Sequence, residues 1–173
     1  MTQPRPLSSN FETKDAWRME VAEACGAYKT ARAVLASKKP AEIIDAVIAA
    51  NLRGLGGAGF STGKKWRFLP ANSTKPVYLV VNADEGEPGT FKDRYLIERD
   101  PHQLLEGILV SAYAIGAHKA YIYLRGEYAL SHRRLARAIE EAYDKRYLGR
   151  GIFGTAFDLE VTLHRGAGAY ICG

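Results

Sequence analysis

Val77-Tyr78-Leu79-Val80-Val81, followed by Asn82-Ala83-Asp84-Glu85-Gly86-Glu87-Pro88-Gly89, decides the fold of this chain. A continuous run rich in β-branched and aromatic residues reads as a strand buried in a parallel sheet. The polar segment behind it reads as the turn at that strand's carboxyl end. Downstream, residues 101 to 116 read as a helix behind Asp100, a suitable N-cap, with Pro101 at the first helical position. Ala120 to Leu124 reads as a second strand, Ser131 to Tyr147 as a second helix and Phe157 to Leu163 as a third strand. This alternation predicts an α/β fold: a mainly parallel, Rossmann-like sheet with right-handed crossovers and helices on both faces. Upstream, two helical patterns precede the strand. One runs from Asp15 to Ala36, with Trp17, Val21, Ala24 and Tyr28 on its apolar face; the other runs from Pro40 to Asn51. Residues 1 to 15, with Pro4 and Pro6, read as a loose arm. The expected organisation is a helical N-terminal extension over 1–53 and an α/β ligand-binding domain over 54–173.

At 173 residues the chain is long enough for one domain, and 47% apolar with 25% charged residues excludes disorder and fibrous classes. The longest apolar stretch, Ile108 to Ala117, is shorter than the roughly 20 residues that span a bilayer, and no basic-then-apolar leader opens the chain. No direct membrane insertion is expected, and the cytosol is the expected compartment. The net charge of +5 includes Arg133, Arg134, Arg137, Lys145, Arg146 and Arg150, but Glu140, Glu141 and Asp144 are interleaved with them. That is a solvated helix face, and no nucleic-acid partner is expected. With Cys25 and Cys172 the only cysteines, neither a disulfide framework nor a metal-binding pair is expected. His102, His118, His132 and His164 lack ligand spacing and read as surface or helix-end residues. No catalytic residue or metal site is expected.

Residues 53 to 68, Arg-Gly-Leu-Gly-Gly-Ala-Gly-Phe-Ser-Thr-Gly-Lys-Lys-Trp-Arg-Phe, hold five glycines between 54 and 63. Such a loop accepts positive φ and lets successive N–H groups cradle an anion. Lys64 and Lys65 add positive charge, and Phe60, Trp66 and Phe68 add flat apolar surface. A Walker loop is excluded, because position 58 is Ala and position 65 is Lys, leaving no hydroxyl for magnesium. Gly54, Gly56 and Gly59 match the dinucleotide fingerprint but follow a helix rather than a strand. The loop is therefore expected to bind a nucleotide in some other manner.

Asp84, Glu85 and Glu87 crowd three carboxylates onto the end of the first strand, where open α/β sheets place their ligands. They need donors, such as ribityl or ribose hydroxyls, backbone amides, water or magnesium. No nucleophile or histidine stands beside them.

Together these segments resemble the NADH-oxidising flavoprotein subunit of respiratory complex I. Gly54 to Trp66 resembles that family's first glycine signature, Asn82 to Arg94 its second, and Gly166-Ala167-Gly168-Ala169-Tyr170-Ile171-Cys172-Gly173 the opening of its third. The resemblance covers the chain from about residue 15. It implies FMN held by Gly54, Gly56, Gly57, Lys65, Asn82, Asp84, Glu85, Gly166, Gly168, Tyr170 and Gly173. NAD would be held by Gly59, Phe60, Thr62, Gly63, Phe68 and Glu87, with Phe60 and Phe68 sandwiching adenine and Glu87 on the nicotinamide side. It implies hydride transfer from NADH to FMN and then electron transfer to iron–sulfur clusters and quinone. The implied partners are NADH and other subunits of a complex I-like assembly, an iron–sulfur subunit included. The implied location is peripheral, on the cytoplasmic side of the inner membrane. The acidic residues are also expected to disfavour NADPH.

Leu55 stands where the family usually has Arg, and the resemblance stops at Gly173, inside the third motif. The family continues with a glutamate pair, a ubiquitin-like domain and a helical domain whose cysteines hold a [4Fe-4S] cluster. The chain is thus expected to be a fragment or one piece of a split subunit. The alternatives to the NADH dehydrogenase function are a truncated, catalytically silent binding or assembly fragment, or the same module in an NAD-linked hydrogenase or formate dehydrogenase. Cys172 is expected as a small buried thiol, and Arg125-Gly126-Glu127 as supporting residues on the ligand side.

Overall fold

The computed structural model describes residues 5–70 and 74–172. Three strands, β1 (Tyr78–Ala83), β2 (Lys119–Leu124) and β3 (Glu160–Arg165), form a parallel sheet in the order β1-β2-β3. Helix α6 (Pro101–Ile115) crosses from β1 to β2, and α7 (Ala129–Asp144) crosses from β2 to β3. The α/β class and the parallel sheet are as expected, and so are the N-terminal helices, α1 (Met19–Ala24), α2 (Lys29–Ser37) and α3 (Pro40–Ala49).

The expected cover on both faces is found on one. Two successive crossovers of the same hand, each moving one strand further in the same direction, place both helices on the same side. There Leu79, Val81 and Ala83 align with Ala120, Ile122 and Leu124, and those with Val161 and Leu163. Leu105, Leu109, Leu135 and Ala138 close over them in a continuous core. The N-terminal helices thicken this same layer, with α2 and α3 against α6 and α1 against both α6 and α7. On the opposite face Tyr78, Val80 and Tyr121 are exposed, the two tyrosine rings 6.0 Å apart.

The helix expected over 15–36 is broken into two. Gly26 and Tyr28 both take left-handed backbone, with φ of 103° and 64°. What replaces continuity is capping in trans. Neither α1 nor α2 has a side-chain cap of its own. Instead the Glu141 carboxylate on α7 accepts from the Met19 amide (3.0 Å), and Glu106 on α6 accepts from the amides of Tyr28 (2.9 Å) and Ala31 (2.8 Å). First-turn donors that a helix cannot satisfy internally are thus met by the core's own acids.

His102, expected at the surface or a helix end, stands in the first turn of α6 but is wholly buried. Its Nδ1 lies 2.9 Å from the Tyr28 hydroxyl, and its Nε2 3.4 Å from Glu141 Oε2. The third strand begins later than its apolar pattern, because Phe157 and Leu159 turn into the core from the preceding loop. Two short helices, α4 (Thr62–Trp66) and α5 (Lys92–Arg99), lie within the glycine and acidic segments. Among the described residues no helix is long and apolar enough to cross a membrane.

Candidate functional site

The glycine loop is pinned at its base. Arg53 and Ser61 form an antiparallel bridge, the Gly54 amide donates to the Phe60 carbonyl (2.9 Å) and the Thr62 amide to that of Leu52 (2.9 Å). Gly57 and Gly59 take φ of 107° and 59°. Between these ties, among the described residues, none of the amides from Leu55 to Gly59 donates to a backbone carbonyl. The loop therefore presents a run of unengaged donors, the arrangement that binds anions.

The acidic turn faces it. Leu55, Gly56 and Gly57 on one side, and Asn82 with Asp84 to Glu87 on the other, line one cleft of about 1140 Å3, with Tyr170 and Ile171 at its rim. A neighbouring cleft of about 600 Å3 shares Gly56 and is lined by Gly54, Gly59, Phe60, Thr62 and Lys65 together with the outer edge of β1. The sheet delivers Asn82 to the site, since β1 ends there. Its Oδ1 accepts from the Asp84 amide (2.9 Å), which tightens the turn.

The three carboxylates divide. Glu85, expected among the direct flavin contacts, is 6% exposed, and its oxygens accept from the amides of Asp93 (3.1 Å) and Arg94 (3.3 Å) in the first turn of α5. The Tyr128 hydroxyl donates to the same carboxylate (3.2 Å), and Arg125 Nη1 donates to the Glu85 main-chain oxygen (2.6 Å). Glu85 thus holds the turn in place from within. Burial and the Glu85 charge push the Tyr128 phenol pKa upward, against the pull of Arg125, so it remains a donor. Glu87 is exposed and accepts from the Tyr170 hydroxyl (2.5 Å), which raises the pKa of that phenol and ties the third glycine segment to the acidic turn. Asp84, half-buried, lines the cleft.

Three other expected contacts stand elsewhere. Gly63 is buried against α3, where a Cβ would come within 2.5 Å of Ile48 Cγ1 and 3.0 Å of the Ile44 carbonyl oxygen; it lines neither cleft. Its smallness serves the α3–α4 crossing. Gly166 packs on Tyr123, its amide donating to the Leu124 carbonyl (2.8 Å), and Gly168 takes φ of 89°. These two shape the approach of the third segment, while Tyr170 delivers the contact. Gly173 lies outside the described residues. Phe68 is exposed, its ring 5.9 Å from that of Phe60 at 49°. Cys172, expected buried, is exposed.

Sequence reasoning missed Tyr128, because its role depends on β2 ending beside β1. It also passed over Thr90 and Phe91, which line the larger cleft. Their position just ahead of α5, at the mouth of a strand, was the available signal.

The model of the Nuo51 FMN-binding domain family matches residues 47–173. The chain is 56% identical over 167 residues to an NADH-quinone oxidoreductase subunit of Rhizobium meliloti (strain 1021), covering 96% of this chain and 40% of that protein. It is 58% identical over 148 residues to the corresponding NADH-quinone oxidoreductase subunit of Aquifex aeolicus (strain VF5), covering 86% and 34%. Among solved structures, a chain of the NAD+-reducing [NiFe]-hydrogenase in the H2-reduced state superposes with a TM-score of 0.72 at 38% identity, covering 98% of this chain and 26% of that one. The chain thus spans about two fifths or less of the length of these relatives. The matched region takes in the free-amide loop, the acidic turn and the sheet that joins them, and the chain belongs to the Nuo51 FMN-binding domain family.

Proposed function

We propose that the chain holds FMN between the glycine loop and the acidic turn, takes NADH beside it, and forms the flavin-binding part of an NADH dehydrogenase. One observation carries this reading: Leu55 to Gly57 line a single cleft together with Asn82 and Asp84 to Glu87. On opposite sides of the molecule they would have shared no mononucleotide. The donor set fits the group. Unengaged amides suit a phosphate, Lys65 supplies positive charge from the neighbouring cleft, and Asp84 and Asn82 offer acceptors for a polyol.

When bound, FMN supplies the redox chemistry, taking a hydride from the nicotinamide and releasing electrons to metal clusters. The protein's own groups bind and orient. Phe60 and Phe68 offer flat faces for adenine. A base between two rings needs their planes about 7 Å apart, twice the carbon contact distance. The pair stands closer and tilted, and the exposed Phe68 ring swings aside to admit it. Glu87, steadied by Tyr170, borders the dinucleotide with a negative charge that disfavours the extra phosphate of NADPH.

In the assembly the electrons pass to iron–sulfur clusters and quinone. The partners are NADH and the other subunits, an iron–sulfur subunit with them. The location is peripheral, on the cytoplasmic side of the inner membrane. A second reading, the same module in an NAD-linked hydrogenase, is favoured by the superposition on the hydrogenase chain. The purified chain, mixed with FMN and desalted, is expected to keep a yellow chromophore that NADH bleaches. A colourless protein overturns the proposal in favour of a silent binding or assembly piece.

A further inference from the structure

Away from the glycine cleft, the N-terminal arm (residues 11–17), α5 and α7 line a separate, half-open cavity of about 500 Å3. Its walls alternate guanidinium and ring. Arg134 lies over Trp17 at 5.2 Å; Arg99 lies 5.2 Å from Tyr95 and 6.0 Å from Phe11; Arg94 lies 5.8 Å from Tyr95. Four guanidinium–ring contacts, each within reach of a cation–π attraction, thus gather at one cavity.

Stacking leaves the in-plane N–H edges of a guanidinium free, and these edges match oxyanions. Two of the arginines are also anchored, since Arg99 Nη1 donates to the Phe11 carbonyl (2.9 Å) and Arg134 Nη1 to that of Glu98 (2.5 Å). Among the described residues neither has a carboxylate within ion-pair distance. The one acid on α5 that lines the cavity, Glu98, already accepts from Ser131 (2.9 Å) and stands 4.0 Å from Arg94. Glu12 and Asp15 on the arm border the same space, beside Lys14. An extended acidic segment crossing the arm would meet their like charge, whereas a compact anion seated between Arg99 and Arg134 would not.

We propose that this arginine–aromatic cavity is a binding site for a small phosphate-bearing ligand, distinct from the flavin cleft. Trp17 reports it, being one of two tryptophans. In the Trp66→Phe chain, inorganic pyrophosphate is expected to change Trp17 emission saturably at about 1 mM or below, and the change to weaken with added salt. Arg99→Gln and Arg134→Gln are each expected to weaken binding about tenfold or more, the cost of a charge-assisted hydrogen bond. Arg99→Lys, which keeps the charge and loses the fork, is expected to weaken it several-fold. Lys65→Gln, in the glycine cleft, leaves the Trp17 response intact. Calorimetry on the unaltered chain and circular dichroism of each variant separate binding from folding. Absence of saturable signal or heat overturns the proposal, as does a response lost in Lys65→Gln but kept in both arginine variants. A response to a glutamate-rich peptide without one to pyrophosphate overturns it in favour of a protein partner.

Discussion

The Glu85 carboxylate spends its acceptors on the first turn of α5, whereas Asp84 and Glu87 face the cleft. The composition of the acidic turn shows three equivalent charges; their division follows from which side chains meet backbone amides. On the proposed reading, Glu87, the more exposed of the two, is the charge offered to an approaching nicotinamide cofactor. Glu87→Gln is expected to raise the NADPH/NADH preference in steady-state assays of the flavin-loaded chain, and an unchanged ratio removes the role. Gly63 argues at the same scale. Adding a methyl group there meets Ile48 Cγ1 at 2.5 Å and main-chain oxygen at 3.0 Å. Gly63→Ala is expected to cost about 1–3 kcal/mol in urea unfolding, the range for overpacking a tight contact. The glycine signature marked a loop, but Gly63 packs against α3, and only the position of that helix reveals it.

The N-terminal helices owe their place to carboxylates on other elements. Glu106 and Glu141 reach the open amides of α2 and α1, and His102 lies buried between Tyr28 and Glu141. Burial lowers the His102 pKa below its ordinary 6.5, outweighing the nearby Glu141 charge. An unfolded chain therefore binds this proton more readily than the folded one, so stability is full above about pH 6.5 and falls as the pH drops below it. Glu141 acts in the same direction further into acid. Burial pushes its pKa up, but hydrogen bonds from Arg137 and the Met19 amide leave it below its usual value, so its contribution too is lost on acidification. Melting temperatures are expected to fall between pH 7 and 5, and His102→Gln to flatten that slope; equal slopes in both proteins refute the assignment. The periodicity of 15–36 marked helix correctly but gave no hint of the break. Gly26 was visible, whereas the pull of Glu106 on the Tyr28 amide crosses 78 residues of chain.

At the scale of the whole molecule the sheet is one-sided. Val80 is 67% exposed on the uncovered face, beside Tyr78 and Tyr121. Exposed apolar residues clustered on a flat strand favour association. Val80→Lys is expected to leave stability within about 0.5 kcal/mol while reducing self-association in sedimentation at high concentration. Unchanged sedimentation shows that this face does not associate. The sheet also decides the site. Parallel register brings the end of β1 level with that of β2, so Arg125 and Tyr128 reach the carbonyl and carboxylate of Glu85.

Strand and helix identity, the direction of the sheet, and the glycine and acidic segments as candidates for a ligand site were legible in local pattern. Alternation, turn residues and backbone freedom act over a few neighbours and can be read from them. Which face of the sheet is covered, which acid caps a helix and which is left to line the cleft, and the assembly of the arginine–aromatic cavity were decided only by the tertiary structure. Each depends on groups distant along the chain, whose meeting is set by the packing of α6 and α7 against one side of the sheet.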